Sequence, residues 1–277
     1  MTGTPPTPPS GSEFDPTKPD IARTYRALQQ WGKRDALPAD RHAAAELMRK
    51  IPGADQVMQE NKAVLVRMTR FAVRRGHTQF VDIGAGTPAT YDARLPELPN
   101  LMEVAADIRP ERRWVSVDVN PVVLAHLRVL DRDGVSTLEG DVRDLEGIFN
   151  DIEGQNLLDL GKPVVVVLGA VIHFIDDHEA AKVVPYLMRR LSPGSMVLFT
   201  HVTSTGRDPQ MVAAGKAAYE ALVAPIWVRS QEEIAVLLDG LTLHPPGLVR
   251  TIAWDPDETT DLASTEAPHF LAAAGDF

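Results

Sequence analysis

The sequence has no cysteine among its 277 residues, so disulfides and thiolate metal sites are excluded. It has no apolar run long enough to span a bilayer, which takes about 20 residues. Basic residues are outnumbered, 28 Lys and Arg against 38 Asp and Glu, for a net charge of −10. That balance argues against a general nucleic-acid surface or an anionic-membrane surface. Two catalytic signatures are missing as well. Without a Gly-x-Ser-x-Gly elbow or a phosphate loop ending in Gly-Lys-Ser/Thr, hydrolase and kinase readings lack their key parts. No internal repeat is visible, and the first residues lack the charged-then-apolar pattern of an export signal. A cytoplasmic enzyme is the expectation.

What is present centres on Phe80-Val81-Asp82-Ile83-Gly84-Ala85-Gly86-Thr87-Pro88. A short apolar run that ends in an acidic residue and meets two glycines reads as a buried strand turning into a nucleotide-binding loop. Glycines at 84 and 86 let the backbone approach a ligand where a Cβ would intrude. Gly84-x-Gly86-x-x-Ala89 also fits a dinucleotide fingerprint, which expects an acidic residue about 20 positions on. The next strand, Trp114 to Asp118, arrives later than that. It follows an insertion from Tyr91 to Pro110 with room for a helix over Asn100 to Asp107. Asp118 still ends its strand where a ribose-binding carboxylate belongs, because neighbouring strands of a doubly wound sheet share one crevice. Gly140-Asp141-Val142, after the apolar stretch Val135 to Leu138, puts a third carboxylate where it could accept from an adenine amino group. A nicotinamide enzyme has no standing need for that residue.

A glycine loop followed by carboxylates at successive strand ends resembles the class I S-adenosylmethionine-dependent methyltransferases. Lys162 to Phe174 looks like that family's fourth strand and the loop bordering methyl transfer, and Leu191 to His201 like its fifth, entered through Pro193-Gly194. A narrower resemblance lies in Pro19-Asp20-Ile21-Ala22-Arg23-Thr24-Tyr25, Gly32-Lys33 and Ala39-Asp40-Arg41. These look like the opening of an actinobacterial methyltransferase family long catalogued only as a domain of unknown function. Gln30, Trp31, Arg34 and Ala36 depart from that opening, so if this loop covers the cofactor the lid chemistry or the substrate is expected to differ.

The resemblance implies an α/β, Rossmann-like fold: a seven-stranded, mostly parallel sheet with helices on both faces and an N-terminal helical lid. It implies S-adenosyl-L-methionine as cofactor, held by Asp82, Gly84, Ala85 and Gly86, by Asp118, Val119 and Asn120, and by Asp141 and Val142. In this reading Asp82 acts on the amine through water, Asp118 holds the ribose, and Asp141 with the Val142 amide reads adenine. Tyr25 and Arg23 would close over the cofactor's amino-acid moiety. A disordered tail is expected over 1–18, the helical lid over 19–76, and the methyltransferase core over 77–277. Helices are expected over Pro121 to Leu130, Asp177 to Arg190 with Pro185 kinking or dividing it, Pro209 to Leu222, and Ser230 to Leu238. Leu241 to Trp254 and His269 to Ala274 read as a closing antiparallel pair.

His173 and His201, each just past a central strand, are the candidate catalytic bases, against the plainer reading of structural histidines. Trp31, Phe174, Tyr186 and Trp227 are candidates for an aromatic acceptor pocket, against the plainer reading of core packing. His173, Asp176, Asp177 and His178 straddle a helix start where Asp is a good cap, so no metal is expected. The function expected is methyl transfer to oxygen or nitrogen of a small molecule, in secondary metabolism, with a homodimer left open. The alternatives are a cofactor-assisted cyclisation on the same fold, a nicotinamide-dependent oxidoreductase, and a non-catalytic cofactor sensor.

Overall fold

The computed structural model describes residues 15–29, 36–89, 98–258, 260 and 269–277. Most of the expected tail, the 30–35 loop with Trp31, and the start of the insertion after Tyr91 therefore lie outside the described residues. Three helices come first. α1 (Ile21–Leu28) begins where the Asp20 carboxylate accepts the Arg23 N–H at 3.0 Å, a cap worth about 1 kcal/mol. α2 (Pro38–Lys50) has Pro38 in its first turn, where a missing N–H costs nothing. α3 (Ala54–Arg74) follows Gly53.

Strands and helices then alternate. They are β1 (Gln79–Ile83), α4 (Leu101–Ile108), β2 (Arg113–Asp118), α5 (Pro121–Arg128), β3 (Val135–Glu139), α6 (Leu145–Gly154) and β4 (Val165–Gly169). After a 3-10 turn at Ile172–Phe174 come α7 (Asp177–Arg190), β5 (Met196–Thr203), α8 (Pro209–Leu222) and α9 (Gln231–Leu237). β6 (Thr242–Leu243), β7 (Val249–Arg250) and β8 (His269–Asp276) close the chain. Caps were legible: Asn120 accepts the Val122 and Val123 N–H groups, and Ser230 pairs reciprocally with Glu233. α7 runs through Pro185 as one helix, so of the expected kink or division the division does not occur.

The sheet order is β3-β2-β1-β4-β5-β8-β6, with β7 also on β8. β1 to β5 are parallel and β8 is antiparallel to β5. The sheet is thus Rossmann-like with eight strands rather than seven. The stretch read as one strand from Leu241 is split at Pro245-Pro246-Gly247, where two residues lack a ladder donor.

Alternation along the strands makes two apolar layers. Val81, Val117, Val166, Leu168, Val197 and Phe199 pack toward α6, α7 and α9. Phe80, Trp114, Val165, Val167, Met196 and Leu198 pack toward α3 and α4. Each such buried side chain contributes about 1.5–3 kcal/mol. Met68, Ala72 and Val73 place α3 in the second layer, so this helix, read from sequence as lid, packs on the sheet. α1 and α2 instead form a third cluster with α8, through Leu28, Leu47 and Tyr219.

Candidate functional site

β1 sits between β2 and β4, and chain connections diverge there, leaving a crevice at the strands' carboxyl ends. A cavity of about 430 Å³ fills it, within the ~300–1,000 Å³ of small-molecule sites. Asp82 and the 84–89 loop form its floor. Asp118 to Asn120 and Gly140 to Arg143 form one wall, and Gly169 to Val171, Phe174 and Ile175 the other. Ala22, Tyr25, Arg26 and Gln29 of α1 roof it, beside Asn61, Lys62 and Leu65 of α3.

The loop needs its glycines for different reasons. Gly84 has φ +74°, and a Cβ there would stand 2.6 Å from Val171 Cγ2. Gly86 has φ +68°, but nothing lies within 4 Å of where its Cβ would be. The Gly84 and Ala85 N–H groups both donate to the Val117 carbonyl, at 2.9 and 3.0 Å. Asp118 fixes the rest: Oδ2 accepts the Gly86 N–H and Oδ1 the Asn120 N–H, each at 2.9 Å. A carboxylate offers about four acceptor positions, so roughly two remain for a ligand. On the facing wall Ala170, a non-glycine residue, holds φ +57°, a left-handed conformation that costs energy and is found at ligand sites.

The cavity is acidic at its floor. Burial pushes the Asp82 carboxyl up to about 7, the Lys62 charge working against that and Asp118 adding to it. Asp118 is also raised, by burial, although the Asn120 and Gly86 N–H groups oppose the shift. At Asp141 burial favours the neutral acid, but Arg143 outweighs it and holds the carboxyl below its usual range. Arg143 Nε reaches both Asp141 oxygens, at 2.9 and 3.0 Å.

The nine sequence-predicted residues from Asp82 to Val142 and Tyr25 all line this one cavity. Three others do not. Arg23 is 5% exposed and turned away, its Nε donating to Asp40 Oδ2 at 2.7 Å. The expectation that it closes over a cofactor is corrected: Arg26, one position on, faces the cavity. The two candidate bases are interior as well. His201 Nε2 lies 2.8 Å from Arg229 Nη1, a permanent donor, so the ring's proton sits on Nδ1 and goes to the Val202 carbonyl at 2.6 Å. Burial, with Arg229 beside it, drives the His201 pKa down to about 3. His173, 2% exposed, packs edge-on against His201 and Phe270, and burial lowers its pKa well below the ordinary value. Neither histidine reaches the cavity, so the geometry does not support a base role for them.

Of the aromatic candidates, Phe174 lines the cavity, Tyr186 packs on Phe149, and Trp227 lies off the cavity, its backbone N–H donating to the His173 carbonyl. No cluster among the described residues could hold a metal. Sequence reasoning missed Arg26, Gln29, Asn61 and Lys62. Ala22, Tyr25, Arg26 and Gln29 fall at i, i+3, i+4 and i+7, which is the face a helical reading centred on Tyr25 selects.

Residues 8–275 match the model of a family described as S-adenosyl methyltransferase. The chain belongs to this family. A putative methyltransferase from Thermobifida fusca is 32% identical, with a TM-score of 0.82 over 94% of this chain and 95% of that one. A duf574 family protein from Streptomyces avermitilis is 30% identical, with a TM-score of 0.83 over 94% and 97%. The plantazolicin methyltransferase, at 10% identity and a TM-score of 0.53, shares the fold, covering 92% of this chain and 96% of that one. No curated protein matches. The protein is an S-adenosylmethionine-dependent methyltransferase. Its cavity fits the cofactor: an open side beside Gly86, unused acceptor positions on Asp118, and a carboxyl at Asp82 that accepts no hydrogen bond within the described residues suit a cationic nucleoside. No helix among the described residues is long and apolar enough to cross a membrane.

Proposed function

We propose that this methyltransferase alkylates an oxygen or nitrogen atom of a small-molecule acceptor. The observation that carries the reading is a single cavity running from the glycine loop past Ala170 and Val171 to Phe174 and the underside of α1. Cofactor and acceptor would share that space, screened from water by the lid. In the proposal Asp118 receives the ribose hydroxyls, while Asp141 and the Val142 N–H face adenine. Backbone from Gly84 to Gly86 lies along the nucleoside.

When bound, the cofactor supplies the methyl group as an electrophile on a sulfonium centre. The protein's share is positioning, holding the acceptor about 3 Å from that carbon, which contributes more than any proton transfer. The two candidate histidines lie outside the cavity, so neither serves as the base. An acceptor would arrive in its nucleophilic form, the Phe174 and Ile175 wall setting its approach.

The test is incubation with methyl-labelled cofactor and a panel of phenols, amines and heteroaromatics, followed by mass spectrometry. Label appearing in a small molecule supports the reading. Acceptor rearrangement without label would replace it with a cyclisation.

A further inference from the structure

The cavity wall that carries Phe174 and Ile175 is a short 3-10 turn between β4 and α7, and such turns have poor hydrogen-bond geometry of their own. Two internal bonds close it, the Phe174 N–H to the Val171 carbonyl at 3.0 Å and the Ile175 N–H to the Ile172 carbonyl at 3.3 Å. The rest of its hold comes from outside. Arg229 Nη1 donates to the Ile172 carbonyl at 3.2 Å and Nη2 to the Ile175 carbonyl at 2.9 Å. Between them the Trp227 backbone N–H donates to the His173 carbonyl at 2.9 Å. The gripping segment is itself fastened to the sheet. At the end of β5 the Arg229 carbonyl accepts from Thr203 Oγ1 at 2.8 Å and from the Ser204 N–H at 3.0 Å.

Charge pairing does not account for a guanidinium at this place. Arg229 is 4% exposed, and burying a cation is costly unless a well-placed buried partner offsets it. Its carboxylate partner, Asp177 at 2.9 Å, has a side chain 83% exposed, so water screens the pair. His201, a further contact at 2.8 Å, is a neutral acceptor. What remains is shape. A planar fork reaches two carbonyls of one turn at once, a geometry that the point charge of a lysine does not match. We infer that Arg229 is a positioning residue for the methyl acceptor, fixing through those two carbonyls where the Phe174 and Ile175 wall stands relative to the transferred methyl group. The inference rests on the acceptor reading of the cavity and deepens it by naming what sets the wall. Arg229 does not line the cavity, so it acts only through the turn.

The experiment is steady-state kinetics with the best acceptor from the labelled-cofactor panel, beside calorimetric titration with S-adenosylhomocysteine, whose binding also confirms that each variant is folded. Arg229→Lys should keep S-adenosylhomocysteine affinity within about twofold while kcat/KM for the acceptor falls about 10–100-fold, mostly through KM, because a shift of about 1 Å in a positioning wall is enough for that. A merely structural role would lower kcat through loss of folded enzyme and leave the acceptor KM where it was. Phe174→Leu alters the wall without touching the clamp. Since the clamp acts through the wall, the double variant should lose no more than the worse single variant, and losses that multiply would overturn the inference. Asp177→Asn should leave the acceptor KM unchanged, because the exposed carboxylate is not what holds the turn. A rise there equal to that of Arg229→Lys would assign the effect to the ion pair and overturn the clamp. An unchanged acceptor KM in Arg229→Lys, or equal losses for acceptor and S-adenosylhomocysteine, would also overturn it while leaving the acceptor reading standing. Wild-type protein that labels no acceptor would overturn that reading and this inference with it.

Discussion

Asp20 Oδ2 accepts a hydrogen bond from Asn120 Nδ2 at 2.6 Å, joining the start of the lid to the end of β2. Both residues also have local duties. Asp20 caps α1, and its own N–H donates to Asp40 Oδ1, while the Asn120 oxygen caps α5. One side-chain pair thus fixes the lid beside Asp118, the proposed ribose carboxylate. Asn120→Ala should remove the cap and the lid contact together, destabilising the protein by about 1–3 kcal/mol in urea unfolding. Its affinity for S-adenosylhomocysteine should fall as well. A stability loss with unchanged affinity would show that the lid contact does not serve the site.

Gly84 and Gly86 should respond differently to alanine. At Gly84 the added methyl meets Val171 Cγ2 at 2.6 Å on a left-handed backbone, so Gly84→Ala should cost about 2–3 kcal/mol of stability. At Gly86 the space is open, so Gly86→Ala should cost about 1 kcal/mol from backbone strain and mainly weaken ligand binding. Paired thermal melts and titrations would show whether the two effects separate this way.

Cofactor affinity should rise with pH around neutrality. Asp82 titrates at about 7, and a cationic ligand favours its ionised form, so affinity should climb from pH 6 and level off above pH 7. The stability of the ligand-free protein should run the other way. Its folded pKa lies above the unfolded value, so the native state holds the extra proton between about 4 and 7, and the fold loses stability as pH rises through that window. Asp82→Asn should flatten both profiles. A pH-dependent affinity that survives this substitution would move the effect to another group.

His201 sets an acid limit. Its folded pKa of about 3 lies below the usual 6.5, so the unfolded chain takes up the proton first as pH falls. Stability should therefore be full above about pH 6.5 and decline toward pH 3, by a few kcal/mol at most. His201→Gln keeps an acceptor for Arg229 and cannot titrate, so it should blunt that decline without altering cofactor affinity. Loss of affinity in this variant would return His201 to the site.

Much of the site was legible because strand ends and glycine loops are local features. Phe80 to Gly86, Asp118 and Asp141 could be placed in one crevice from the order of strands. The histidines were misjudged because lying near a strand's carboxyl end does not fix which way a side chain points. His201 has the parity of Val197 and Phe199, which face α7 and α9, and so it cannot also face the α3 side with Asp82. The Arg23 assignment failed for a similar reason: α1 is short, and a shift of one residue turns a helix face by about 100°. Nothing in the sequence pattern marked the pairing of Arg229 with the Ile172 and Ile175 carbonyls, which braces the wall behind Phe174. That pairing joins residues more than 50 positions apart and depends on tertiary packing.

The most direct test of the central claim is a crystal structure of the protein with S-adenosylhomocysteine. The account predicts ribose hydroxyls on the Asp118 carboxylate, adenine beside Asp141 and the Val142 N–H, and the nucleoside along Gly84 to Gly86. A nucleoside bound elsewhere, or one in this cavity with its ribose away from Asp118, would contradict it.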